Sequence, residues 1–115
     1  MQNTTESNKI ISEFMGFTEY NHGSYKTFSK DNKDHFYDSQ LQYDRLWERL
    51  MPVIDKIESL GYSTELYSSQ RDGYFFTIGK YGSTTALHDS QSESRIECVY
   101  NAVVEFITEY NKTKK

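Results

Sequence analysis

From Ile96 to Tyr110 the apolar residues Ile96, Val99, Tyr100, Val103, Phe106, Ile107 and Tyr110 recur at spacings of three and four. That spacing puts them on one side of an α-helix. The pattern predicts a helix over 91–111, with Ser90 and Glu93 at capping-box spacing at its start. A second stretch, "LWERLMPVIDKIESLGY" from Leu46 to Tyr62, repeats the period in Leu46, Leu50, Val53, Ile54, Ile57 and Leu60. The chain's only proline, Pro52, lies inside it. By helical geometry Pro52 sits roughly 200° from Leu50, on the side away from the apolar stripe. There water can satisfy the carbonyl that loses its hydrogen bond, and the helix bends around the core. The reading is one bent helix over 40–60, capped by Ser39 or Asp44 and ended by Gly61.

A shorter first helix is expected over 4–15, with Ile10, Ile11, Phe14 and Met15 on one face, Gly16 as its end and Phe17 packing back. "YSTELYSS" (62–69) and "GYFFTIGK" (73–80) read as strands joined by the Asp-Gly turn of "QRDG". In the second, Tyr74, Phe76 and Ile78 share one face, Phe75 and Thr77 the other. Residues 83–87 are a candidate third strand. Residues 18–39 are polar, but Tyr20, Tyr25, Phe28, Phe36 and Tyr37 punctuate them. Disordered linkers lack such residues, so a loop pinned to the body is expected, with a short strand near 25–28. The fold class is α+β: three helices packed on a small antiparallel β-sheet built from the hairpin 62–80, in the order α-loop-α-β-β-α. A length of 115 residues fits one domain over 1–115, with 1–3 and 112–115 frayed.

Composition narrows the function classes. Hydrophobic residues are 36% of the chain, and aromatics at 16% make up the shortfall, so a small core with a tyrosine-rich rim is expected. The net charge of −4 and the lack of a basic stripe argue against a duplex-DNA partner. No apolar run is long enough to cross a membrane. Cys98 is the only cysteine, which excludes an intrachain disulfide and suits a reducing cytoplasm.

"NKIISEFMGF" (8–17), "LMPVIDKIESLGY" (50–62) and "SRIECVYNAVVEFITEYN" (94–111) carry a family resemblance. These segments are similar to small phage and prophage proteins of the phage ABA sandwich type. They fall on the predicted core helices, so the resemblance implies a common fold and a phage origin, with the cytoplasm of the host bacterial cell as its place. It implies no catalytic motif.

Chemistry-bearing motifs are few. Gly79-Lys80 follows a strand, but the glycine spacing and the hydroxyl of a phosphate loop are missing. A milder anion site at Lys80 remains a reading. Asp31, Asp34, His35 and Asp38 supply oxygen and nitrogen donors, but Lys33 sits among them and the calcium-loop pattern is absent. Cys98 and His88 lack the electropositive setting of a thiol nucleophile, and His22, His35 and His88 lack metal-ligand spacing. Glu93 with Glu97, and Glu105 with Glu109, fit a solvated helix face. No catalytic residues, metal or cofactor are expected. Boundary aromatics and arginines are the usual anchors of interfaces. Trp47, Arg45, Arg49 and Tyr43 form one candidate contact patch. Arg71, Lys80 and Tyr81 form a second candidate set, for a small nucleotide. The expectation is a non-enzymatic phage or prophage accessory protein that binds a host or phage protein. The alternative is a counter-defence protein that sequesters a small cyclic nucleotide signal, with a homo-oligomer as a candidate state.

Overall fold

The structure is a computed structural model and describes residues 4–30, 35–71, 73–80 and 86–113. The elements in order are α1 (Thr4–Phe14), β1 (Thr18–Asn21), β2 (Lys26–Ser29), β3 (Phe36–Tyr37), the single turn α2 (Asp38–Leu41), α3 (Trp47–Ser59), β4 (Tyr62–Ser69), β5 (Gly73–Lys80), β6 (Ala86–Ser92) and α4 (Arg95–Thr113). The α+β class holds, but there are two three-stranded antiparallel sheets in place of one: β1-β2-β3 and β4-β5-β6. The first is made from the segment expected to be a pinned loop. The second contains the expected hairpin with its third strand at 86–92.

The core centres on α4. Val99, Val103, Phe106 and Ile107 are buried as the periodicity requires, and so are Cys98, Ala102 and Val104, which widen the buried surface beyond one stripe. The cause is packing on two sides. Cys98 Sγ lies 3.3 Å from the carbonyls of Tyr74 and Ser90 in the second sheet. Tyr100 meanwhile donates to Asn8 Oδ1 of α1 at 3.0 Å. Phe106 meets Phe14 of α1 edge-on at 6.4 Å and Tyr62 of β4 at 4.8 Å. Leu50, Val53, Ile54 and Ile57 of α3 complete the cluster. Each such side chain contributes roughly 1.5–3 kcal/mol on burial.

Helix boundaries differ from the sequence reading for local reasons. α1 ends as expected: Gly16 is left-handed (φ 95°), its N–H donates to Glu13 O, and the Phe17 N–H donates to Ser12 O. These two bonds satisfy carbonyls that the last turn would orphan. The helix expected over 40–60 is broken. Gln42 is left-handed (φ 47°) and Leu46 is extended, so α3 begins at Trp47 with Leu46 as its N-cap and no side-chain cap hydrogen bond. A continuous helix would put Leu41 roughly 180° from Leu50. The break lets Leu41 and Tyr43 both enter the core, where they are 1% and 4% exposed. Leu60, expected in the stripe, is 40% exposed at the helix end. α4 starts at Arg95, not 91, because β6 runs on to Ser92, paired with Tyr74. Ser90 is therefore a strand residue opposite Phe76, and Ser94 is the cap, its hydroxyl accepting the Glu97 N–H at 3.4 Å.

Pro52 lies inside α3 on an exposed position, while Val53 beside it is fully buried. Pro52→Ala is expected to keep the fold and to raise stability by roughly 0–1 kcal/mol, since the regained helix bond is offset by a more flexible unfolded chain. Urea unfolding checks this. Gly73 makes a sharper test. It has φ 89°, and a Cβ there would lie 2.6 Å from the Ser92 carbonyl oxygen. Gly61, also left-handed (φ 99°), has open space around it. Gly73→Ala should therefore cost more than Gly61→Ala, for which about 1 kcal/mol is expected. Equal losses in thermal melts would contradict this account.

Candidate functional site

Strand alternation sorts the side chains of the first sheet. Thr27 of the central strand β2 pairs with Tyr20 of β1 and Tyr37 of β3, so these three form a cross-strand row on one face. His22, Tyr25 and His35 fall on the same face by the two-residue period. The opposite face turns inward with Phe28, 2% exposed, and Phe36 against the core. Glu19 is also on that side. Burial pushes its carboxyl up, but Lys26 and Lys9, each 3.4 Å away, outweigh burial and hold it below the usual carboxylate range.

The outer face is a cluster of rings over one hydroxyl. Thr27 Oγ1 lies 2.9 Å from His22 Nε2 and 2.9 Å from His35 Nδ1. A hydroxyl carries one proton, so Thr27 donates to at most one ring, and at least one imidazole N–H donates to the hydroxyl oxygen. His22 stacks on Tyr25 with centroids 4.7 Å apart. Tyr20 meets His35 edge-on at 5.1 Å, and Tyr25 meets Tyr37 at 5.8 Å. Thr27 beneath them is 5% exposed, whereas Tyr25 and Tyr37 are 48% and 50% exposed. Single-sequence reading noted these tyrosines as pins and set the histidines aside. The signal that could have found the face is the alternation Tyr20-x-His22, Tyr25-x-Thr27 and His35-x-Tyr37.

The first sequence-derived patch comes apart. Tyr43 is a core residue, its phenol pushed up to about 12 by burial, against the opposing pull of Arg49. Arg49 lies over the Phe36 ring at 4.8 Å. Trp47 is half-buried against the core. Arg45 is exposed and reaches Asp44 at 3.6 Å. The second set does not converge. Arg71 sits in the turn after β4, and Lys80 ends β5, a full strand of eight residues away. At about 3.4 Å per residue that is more than 20 Å. Tyr81, residues 82–85, Asp31, Asp34 and Asp72 lie outside the described residues.

Other groups are bound into structure. Cys98 is fully buried, and burial pushes its thiol up, away from nucleophilic use. An open cleft of about 660 Å³ is lined by Asp44, Glu97, Tyr100 and Glu105 among others. Behind two of these residues, Asn8 Nδ2 donates to Asp44 Oδ1 at 3.1 Å and Tyr100 donates to Asn8, which ties α4, α1 and the turn before α3 together. Glu109 pairs with Lys112 at 3.4 Å. The second sheet carries its own ring pair, exposed Tyr67 stacked on half-buried Phe75 at 5.3 Å.

No family model matches this chain, and no curated protein matches it. Among solved structures, it is similar to a phage protein from Bacillus cereus ATCC 14579. The TM-score is 0.65 at 14% identity, over 94% of this chain and 90% of that one. The chain thus shares its fold with a phage protein. Among the described residues no helix is long and apolar enough to cross a membrane.

Tyr43 and Tyr100 give a prediction on pH. Burial raises both phenols to about 12, against about 10 for a free tyrosine. A raised folded-state value means their full contribution is present below pH ~10 and is lost as pH rises through ~12. Stability should fall over that window by an amount on the order of a few kcal/mol. Tyr43→Phe together with Tyr100→Phe should flatten the fall. Absorbance at high pH should show two of the ten tyrosines titrating late.

Proposed function

We propose that this chain is a phage or prophage accessory protein of the ABA sandwich type. It acts without catalysis, by binding a protein of the host cell. The observation that supports this reading most is the exposed ring face of the first sheet. Tyrosines offer an apolar body and a polar tip, with few torsions to freeze. Here each ring is braced by another, so docking on Tyr25 and Tyr37 costs little ordering entropy. The fold shared with a phage protein supports the biological setting. The nucleotide reading is weaker, since Arg71 and Lys80 are held a strand length apart and cannot share one phosphate group.

The test uses the tagged full-length chain as bait in a lysate of the host bacterium. The wild-type chain should capture a protein that Tyr25→Ser/Tyr37→Ser loses and Tyr67→Ser, on the other sheet, retains. A bound protein retained by all three chains would count against the ring face. A rise in melting temperature with a cyclic or linear nucleotide, without protein capture, would replace the reading with the nucleotide one.

A further inference from the structure

We propose that the free edge of β4 is a dimer interface: a second copy of the chain pairs with it antiparallel, Leu66 against Leu66. Two three-stranded sheets then join into one of six strands. The surface lies on the second sheet, and it stands apart from the docking reading of the first: either can hold without the other.

The starting point is backbone chemistry. β4 is an edge strand of eight residues, and among the described residues it pairs only with β5. On its free side every second residue turns a main-chain N–H and C=O outward, a template for another strand. Edges are commonly blunted by shortness, a lysine, a proline or a bulge. β1 and β3 are short, at four and two residues. β6 has a register shift at its Ile78/Gly79 pairs and carries Asp89. β4 has unbroken register with β5, no proline and no basic residue. Its middle bears two exposed apolar side chains, Leu66 at 41% and Tyr67 at 49%. Leu66 lies beside Phe76 on the core side, left open because α4 packs over β5 and β6. Tyr67 lies on the other face, stacked on Phe75. A strand added at this edge covers both.

The residues of β4 fit their own copy in one register. In a symmetric antiparallel pair the two-fold axis stands perpendicular to the sheet, so one residue faces itself across the axis. An axis on Glu65 sets two carboxylates face to face, which is destabilising. An axis on Leu66 sets Leu66 against Leu66, Glu65 against Tyr67, Thr64 against Ser68 and Ser63 against Ser69. Residues 63–69 of each copy then pair with no like charges opposed, whereas an axis on Tyr67 pairs only 65–69. The charges beyond the strand agree with the Leu66 register. Arg71, exposed in the turn after β4, comes level with Gly61 of the second copy. There α3 has just ended, and Glu58 lies beside the strand, accepting from the Thr64 hydroxyl at 2.6 Å. A helix C-terminus and a carboxylate both favour a cation, and symmetry makes the contact twice.

Light scattering on the full chain across a concentration series tests this. The mass should rise to twice the chain's 13.6 kDa. The mass of one chain at every concentration up to about 1 mM, the weak end of specific association, would overturn the proposal. Leu66→Lys puts two cations on the axis and should return the chain to a monomer with an unchanged circular dichroism spectrum. Arg71→Glu should weaken the dimer several-fold. Leu66→Cys should form a covalent dimer under mild oxidation, since directly opposed Cβ atoms lie about 4.5–5.5 Å apart. Cys98 is fully buried and does not compete. Ser68→Cys, also exposed, lies roughly 14 Å from its copy in this register and should not cross-link. Wild-type hydrogen exchange gives a readout that no variant's folding can confuse: alternate β4 amides should slow as concentration rises. A dimer that persists in Leu66→Lys would overturn the proposal. So would cross-linking through Ser68→Cys as readily as through Leu66→Cys, or β4 exchange that ignores concentration.

Discussion

Burial of α4 on two sides is the constraint that the rest of the structure depends on. β5 covers the helix through Tyr74, Phe76 and Ile78, β6 meets it at the Ser90 carbonyl, and α1 covers it through Asn8, Ile11 and Phe14. The apolar face of the second sheet needs a cover against water, and an isolated helix the length of α1 is marginal. Both conditions are met by the same helix. Phe106 shows the economy of this arrangement, since one ring touches α1, β4 and, through Tyr110 stacked at 5.8 Å, its own next turn. The apolar fraction of the chain is low, and concentrating it around one axis is how it still encloses a core.

The first sheet solves a different problem. Its strands are two to four residues long, too short to be stable alone. Phe28 and Phe36 anchor the inner face, and the Phe17 ring meets Phe36 at 6.1 Å while Arg49 covers it. Among the described residues no helix covers Tyr25 and Tyr37, and the rings of the outer face shelter Thr27 by packing on one another. A surface held this firmly, on strands fixed from below, is pre-ordered for contact.

Much of the fold is legible in the sequence where one periodicity dominates. The β4–β5 hairpin keeps its predicted bounds because apolar alternation and the turn residues agree. α1 ends at Gly16 because the glycine and Phe17 act together. The reading failed where two local signals compete. Two Ser-x-x-Glu spacings precede α4, and only the pairing of Ser90 with Phe76 decides for Ser94. The lead-in to α3 has helical composition, but burying Leu41 and Tyr43 together requires a break that periodicity cannot show. The ring face was the least legible part. Its six side chains lie on or just beside three short strands, and a two-residue alternation over so few positions does not rise above chance until the register is known.

Gly73 bears on how the second sheet finds its alignment. Sheets with alternating faces are threatened by sliding, because a shift of one residue turns every side chain over. At the first position of β5 the backbone carbonyl of Ser92 occupies the space a side chain would need. Sliding β5 by one or two positions would bring Tyr74 or Phe75 against that oxygen. The glycine thus acts as a key that fits a single notch, and the strand leading into α4 is set in place before the helix begins.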